Sequence, residues 1–198
     1  MLVTEKIIHT QFLVYDLEMS GLDPESDEIL EIASIPMHGS EIVEDEGFFV
    51  QLHPIDFIEQ ESRQVHGISY EGDGLSEKPK IETALPQFFK HAQGRVLVGQ
   101  RPALDLDFLQ YAGKISATIV PRFQIIDISR LFLYFFPNVR RYNLDEIAIN
   151  FGFRKRTGSH NAWDDAFTTA SIFRKMILKL NSTGKTTLGE LLHLGRLL

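Results

Sequence analysis

The chain has 198 residues, 43% of them hydrophobic and 24% charged, which suits one buried-core domain or one domain with a small appendage. It contains no cysteine, so disulfides, thiolate metal sites and cysteine nucleophiles are excluded. The net charge of −7 argues at first against a nucleic-acid partner, but residues 1–80 hold 18 acids against 4 bases while residues 81–198 hold 9 against 16. The second half is therefore basic, with clusters at Arg140–Arg141 and Arg154–Lys155–Arg156. A solvated basic face and a phosphate track are both open readings of those clusters. Residues Met1–Thr10 mix Glu5, Lys6 and His9 with short apolar pairs and no signal-peptide core follows. No apolar run approaches the roughly 20 residues that span a bilayer. The expected location is cytoplasmic, with no membrane partner.

In chain order, Gln11–Leu17 is short, apolar and β-prone, the pattern of a buried strand. Gly21 and Asp23–Pro24 mark a turn, and Ile29–Met37 and Gly47–Leu52 read as two further strands. Short loops between them predict an antiparallel meander, with Pro36 stopping or edging the second strand. After residue 80 the pattern changes to helices alternating with strands. Ile81–His91 has helical spacing with Pro86 inside it, Arg95–Gly99 is a strand, and Leu104–Tyr111 is a helix. Arg122–Ile128 is a fifth strand, followed by an apolar helix that Pro137 ends. Leu144–Phe151 is a helix closed by Gly152, and Ala162–Leu180 is the longest helix. The sum is an α/β fold, a mixed five-stranded sheet flanked by helices. Residues 1–180 form the predicted domain, and 181–198 a linker and short leucine-rich tail. That tail is expected to pack back on its own domain. The Gly184-Lys185-Thr186 triplet lacks the glycine and preceding strand of a phosphate loop, since Lys179 stands where the glycine belongs.

Two acids sit where acids are expensive. Asp16 and Glu18 end an apolar strand, and residues i and i+2 of a strand share a face. Paired carboxylates beside a buried strand resist desolvation and repel each other. A divalent cation would relieve both penalties, and a solvated strand end with salt bridges is the alternative. The third group is His160-Asn161-Ala162-Trp163-Asp164-Asp165, at the entry to the long helix, just after the basic loop. A histidine at a helix entry and a carboxylate one turn in can face one cleft.

Together these segments resemble the DEDDh exonucleases, the group that includes the proofreading subunit of bacterial replicative polymerase. The first motif, Asp-x-Glu, is matched by Asp16-Leu17-Glu18. The second is matched by Val96-Leu97-Val98-Gly99 and Asp105-Leu106-Asp107-Phe108-Leu109, and the third, His-x4-Asp, by His160 and Asp165. Tyr142-Asn143-Leu144, Asp127 and His66-Gly67-Ile68 also resemble the family pattern. The resemblance spans roughly residues 10–180. It implies a ribonuclease H-like fold, two Mg²⁺ or Mn²⁺ ions and 3′–5′ hydrolysis of single strands from their 3′ ends, DNA first and RNA as the near alternative. It assigns Asp16, Glu18, Asp105 and Asp165 to the metal site and His160 as general base. The family spacing selects Asp105 over Asp107 and Asp165 over Asp164. Oxygen-only ligation suits hard cations, and an imidazole pKa near about 6.5 suits a base at neutral pH. The resemblance implies that Met19, Leu22, His66 and Leu104 line the pocket of the terminal nucleotide, and Arg101 is a further candidate for substrate binding. The chain departs from the family at Gln100-Arg101, where His-Asn is common, and at Met19, where Thr is common. Asp-Leu-Glu-Met is similar instead to oligoribonucleases. The tail holds no recognised polymerase-binding element, and nothing in the sequence speaks to oligomeric state.

Overall fold

A computed structural model describes residues 4–53, 78–154 and 161–196. The strands are β1 (Gln11–Met19), β2 (Ile29–His38), β3 (Glu41–Ile42), β4 (Phe48–Gln51), β5 (Val96–Gly99) and β6 (Ile125–Asp127). The helices are α1 (Ile81–Ala92), α2 (Ala103–Ile115), α3 (Ile128–Phe135), α4 (Leu144–Asn150), α5 (Ala162–Ser182) and α6 (Leu188–Gly195). The sheet runs β3-β2-β1-β5-β6, with β4 also paired to β2. β1 and β2 are antiparallel, whereas β1–β5 and β5–β6 are parallel. This is the expected mixed sheet flanked by helices.

Three details differ from the sequence reading. Among the described residues the sheet has six strands instead of five, because Glu41–Ile42 adds a two-residue hairpin arm against Met37 and His38. Two residues carry no readable alternation, so no pattern announces them. Pro36 does not stop β2, and it pairs opposite Leu13 well inside the strand. On the outer side of β2, β4 covers Glu31–Ser34 and β3 covers Met37–His38. The missing N–H of Pro36 falls in the gap between them, where it interrupts no ladder. α5 runs on to Ser182, two residues into the stretch Asn181–Thr187 read as a linker, and the leucine-rich tail beyond it is the helix α6, which Thr187 caps through a capping box with Glu190.

Each face of the sheet buries its own core. On one face Phe12 and Val14 of β1 pack with Phe173 and Ile177 of α5, and Leu188 and Leu191 of α6 join the same cluster. Phe12 and Phe173 meet edge to face, with ring centroids 5.1 Å apart. On the other face the alternate residues Leu13, Tyr15 and Leu17 pack with α1 and α2 through Leu85, Phe88 and Leu109. Pro86 lies within α1 without ending it, on an exposed position. No helix among the described residues is long and apolar enough to cross a membrane.

The N-terminal end of α5 packs directly on β2. There the contacts are made by Ala33, Ala162 and Ala166 beside Ile35, small side chains that let helix and strand approach. This brings the first turn of α5 to the end of β1, which sets up the site.

Candidate active site

Strand alternation places Asp16 and Glu18 on the α5 side of the sheet, in line with Phe12 and Val14. The packed apolar pairs give way to carboxylates where the strand runs out, and the ladder with β2 shifts register between Glu18 and Met19. Asp165, in the first turn of α5, arrives from the opposite direction. One carboxylate oxygen from each of Asp16, Glu18 and Asp165 falls within 4.8 Å of the others, and all three residues are half-buried.

Asp105 approaches from α2. It is 9% exposed, and burial pushes its pKa up to about 8, with the charges of Glu18 and Asp127 adding to the effect. Asp107, two positions on, is exposed. The competing Asp164 is exposed as well and is used by the helix cap: its N–H donates to Asn161 Oδ1 at 2.8 Å, and Asn161 Nδ2 donates to Asp164 Oδ2 at 2.8 Å.

The parallel register explains why these groups meet. Phe12 pairs with Val96 and Gly99 with Asp127, so β5 and β6 end together level with Tyr15, and β1 carries Asp16 and Glu18 just past their carboxyl ends. Crevices at the carboxyl ends of parallel strands are the usual ligand sites of α/β sheets. Asp127 closes β6 and caps α3 by accepting from the Ser129 N–H at 2.8 Å. Below the edge, Tyr15 is fully buried. Burial first, then the charges of Asp105, Asp16 and Asp127, hold its pKa well above the ordinary phenol range, so it stays protonated. An alanine at Gly99 would put its Cβ 3.3 Å from the Tyr15 ring and 3.2 Å from Pro102, so the bare glycine permits the close turn from β5 into α2.

One acid escaped the sequence reading. Glu31 on β2 lies directly opposite Glu18 and is 1% exposed. Its Oε2 accepts the Ala162 N–H at 3.0 Å, and its Oε1 accepts from Gln51 Nε2 at 2.7 Å. A carboxylate at a helix N-terminus satisfies an orphan donor and complements the helix dipole.

The predicted nucleotide pocket is less uniform. Met19 is half-buried at the end of β1, Leu22 is 78% exposed, and Leu104 packs partly buried against the α1–α2 core. Arg101 is exposed beside the acid site. His160 and His66 lie outside the described residues. The donor set is compatible with a hard divalent cation, with all three clustered ligand atoms being carboxylate oxygens.

Comparison with known proteins fits this geometry. Residues 13–173 match the exonuclease family RNase_T. The chain belongs to that family. It is 32% identical over 181 residues to the DNA polymerase III subunit epsilon of Aquifex aeolicus, covering 89% of this chain and 85% of that protein. It is also 30% identical over 190 residues to the PolC-type DNA polymerase III of Caldanaerobacter subterraneus, covering 95% of this chain but 13% of that much longer protein. Among solved structures, the nuclease domain of 3′hExo, a DEDDh family member bound to rAMP, superposes with a TM-score of 0.74 at 18% identity, covering 86% of this chain and 93% of that one. E. coli exonuclease I in complex with a dA16 oligonucleotide gives 0.69 at 13% identity, covering 87% and 43%. The fold of this exonuclease-family chain is therefore shared with DEDDh nucleases.

Proposed function

We propose that this exonuclease-family protein is a DEDDh-type 3′–5′ exonuclease that hydrolyses single-stranded DNA from its 3′ end and releases nucleoside 5′-monophosphates. The observation that carries the reading is the convergence of Asp16, Glu18 and Asp165 within 4.8 Å, with buried Asp105 electrostatically coupled to Glu18. These four carboxylates would hold two Mg²⁺ or Mn²⁺ ions. Bound there, the ions supply Lewis-acid neutralisation of the scissile phosphate and a lowered pKa for attacking water. The chain's own groups do the rest. Asp16 and Glu18, held opposite Ala33 and Glu31 in the β1–β2 ladder, fix the reacting end. His160, five residues before Asp165, takes the proton from the attacking water. Met19, Leu22, His66 and Leu104 receive the terminal nucleotide. Buried apolar surface around Asp105 keeps bulk water from that one carboxyl group.

The close fold match to a nuclease domain bound to rAMP supports exoribonuclease action as a second reading. One assay separates the two: 5′-labelled single-stranded DNA and RNA of matched sequence, incubated with Mg²⁺ or with Mn²⁺. Stepwise shortening of DNA from the 3′ end is expected. Faster digestion of RNA replaces the first reading with the second. No release from either strand with either ion leaves a nucleic-acid-binding module and sinks the enzyme reading. The cytoplasmic location expected from the sequence belongs to this proposal.

A further inference from the structure

Arg101 carries a backbone φ of +55°, in the left-handed region that non-glycine residues seldom adopt. Such strain persists only where the surroundings over-determine it, and it gathers at functional sites. Here the surroundings are identifiable. The Arg101 N–H donates to Asp127 Oδ1 at 3.0 Å, the same oxygen that caps α3. At the far end of the side chain, Nη2 donates to the Tyr142 carbonyl at 2.9 Å, and the guanidinium carbon lies 5.1 Å from the centre of the Tyr142 ring. Tyr142 in turn packs against fully buried Phe132, with centroids 5.0 Å apart. An exposed arginine is thus fixed at both ends, although free arginine side chains keep large rotamer entropy. The Tyr142 carbonyl engages only one of the five guanidinium donors.

Position gives this preorganised cation a purpose. Arg101 stands two residues after the end of β5 and four before Asp105, and the Asp127 that holds its N–H is close enough for its charge to act on Asp105. Its guanidinium is turned onto Tyr142, which follows the exposed pair Arg140–Arg141. Exposed positive charge from Arg101, Arg140 and Arg141 is therefore gathered about Tyr142. The scissile phosphate belongs where the carboxylates would hold the divalent ions, so the next site of positive charge meets the strand that remains. We infer that Arg101 is a phosphate-binding residue that grips a phosphodiester on the 5′ side of the scissile one, with Asp127 and Tyr142 as its positioning residues. The inference rests on the exonuclease reading above. DNA and RNA share the phosphodiester chemistry that a planar guanidinium recognises in bidentate fashion.

The test compares three substrates with wild type, Arg101→Ala and Arg101→Lys. One is a single-stranded oligonucleotide, and one is the same strand with a neutral methylphosphonate at the linkage next to the scissile one. The third is thymidine 5′-p-nitrophenyl phosphate, which has only the cleavable phosphodiester. Arg101→Ala is expected to raise the oligonucleotide KM about tenfold or more with little change in kcat, and to leave ester hydrolysis as in wild type. Arg101→Lys keeps the charge without the fork and is expected to recover only part of the loss. The methylphosphonate is expected to raise the wild-type KM and leave that of Arg101→Ala unchanged. Equal losses on strand and ester, an unchanged KM, or a full methylphosphonate penalty in Arg101→Ala would each overturn the inference. If Arg101→Ala melts early, Arg101→Lys carries the same comparison. If wild type hydrolyses none of the substrates, the exonuclease reading fails on its own. Anisotropy of a labelled oligonucleotide then still decides the grip, with about tenfold weaker binding expected for Arg101→Ala.

Discussion

The Glu31 carboxylate joins strand to helix, accepting the Ala162 N–H at 3.0 Å from a position directly across the ladder from Glu18. Glu18 and Asp165, brought together at the site, are thus referenced to the same buried acid: one is its cross-strand partner, and the other lies three residues into the helix it caps. Removing the carboxylate leaves the Ala162 N–H and the Gln51 amide without it. Glu31→Ala is expected to cost about 2 kcal/mol of stability. Displacements of roughly 1 Å at a catalytic site can cost ~10²-fold in rate, so kcat is expected to fall in that range. Glu31→Gln can still accept from Ala162 and is expected to recover most of both. Thermal melts and steady-state kinetics check this. A wild-type kcat in folded Glu31→Ala would show that Asp165 does not depend on this tie.

Helix periodicity separates the paired acids of the second motif. Asp105 faces the sheet and Asp107 faces solvent. Asp105→Asn and Asp16→Asn are each expected to lower kcat by at least about 10²-fold, whereas Asp107→Asn stays within about twofold. Chelator is expected to abolish nucleotide release, and Mg²⁺ or Mn²⁺ to restore it. Equal losses in Asp105→Asn and Asp107→Asn would mean that the second motif is read in the wrong register.

What the sequence disclosed follows from how local each signal is. β1 is a short, β-prone apolar run and α5 a long helical period, and both were placed to within two residues. Asp16 and Glu18 stood out because acids at the end of an apolar strand carry a desolvation cost. Asp105 and Asp107 could not be told apart locally, since both sit in one amphipathic helix, and only family spacing chose between them. Glu31 was hidden inside Ile29–Met37, read simply as an apolar run. A lone acid in a strand buried on both faces was the available signal, because it demands a partner. The partner, however, is a backbone N–H 131 positions away. The hairpin arm at Glu41–Ile42 and the role of Pro36 depend on which strands flank β2, which no single segment encodes.

His160 lies outside the described residues, and its assignment comes from the family resemblance through the His-x4-Asp motif. A positioned general base contributes roughly 10²–10⁴-fold, whereas a helix-entry cap contributes about 1 kcal/mol of stability and nothing to chemistry. His160→Ala is expected to lose at least about 10²-fold in kcat while its melting temperature stays near wild type. The wild-type rate is expected to fall as pH drops below about 6.5, where the imidazole gains its proton. A folded His160→Ala protein with a normal rate would remove the histidine from the mechanism.

The buried acid makes a further pH-dependent prediction, this one for the protein without divalent ions. Burial, then the charges of Glu18 and Asp127, raise Asp105 from the ordinary carboxylate value to about 8. Between those two values the folded chain holds a proton that the unfolded chain has released. Stability of the cation-free protein therefore falls as pH rises from about 4 towards 8, by at most about 1.4 kcal/mol per pH unit. A cation favours the ionised carboxylate and reverses the effect, so its binding at pH 7 is expected to release about one proton. Melting curves in chelator from pH 5 to 8 check the first part, and Mn²⁺ titration calorimetry in two buffers of different ionisation heat checks the second. Asp105→Asn cannot ionise, so it is expected to flatten the pH dependence of the melt and to abolish the proton release, while remaining inactive. Parallel melting profiles for wild type and Asp105→Asn would mean that Asp105 is already charged in the folded protein, and that the acid pair with Glu18 is relieved by some other group.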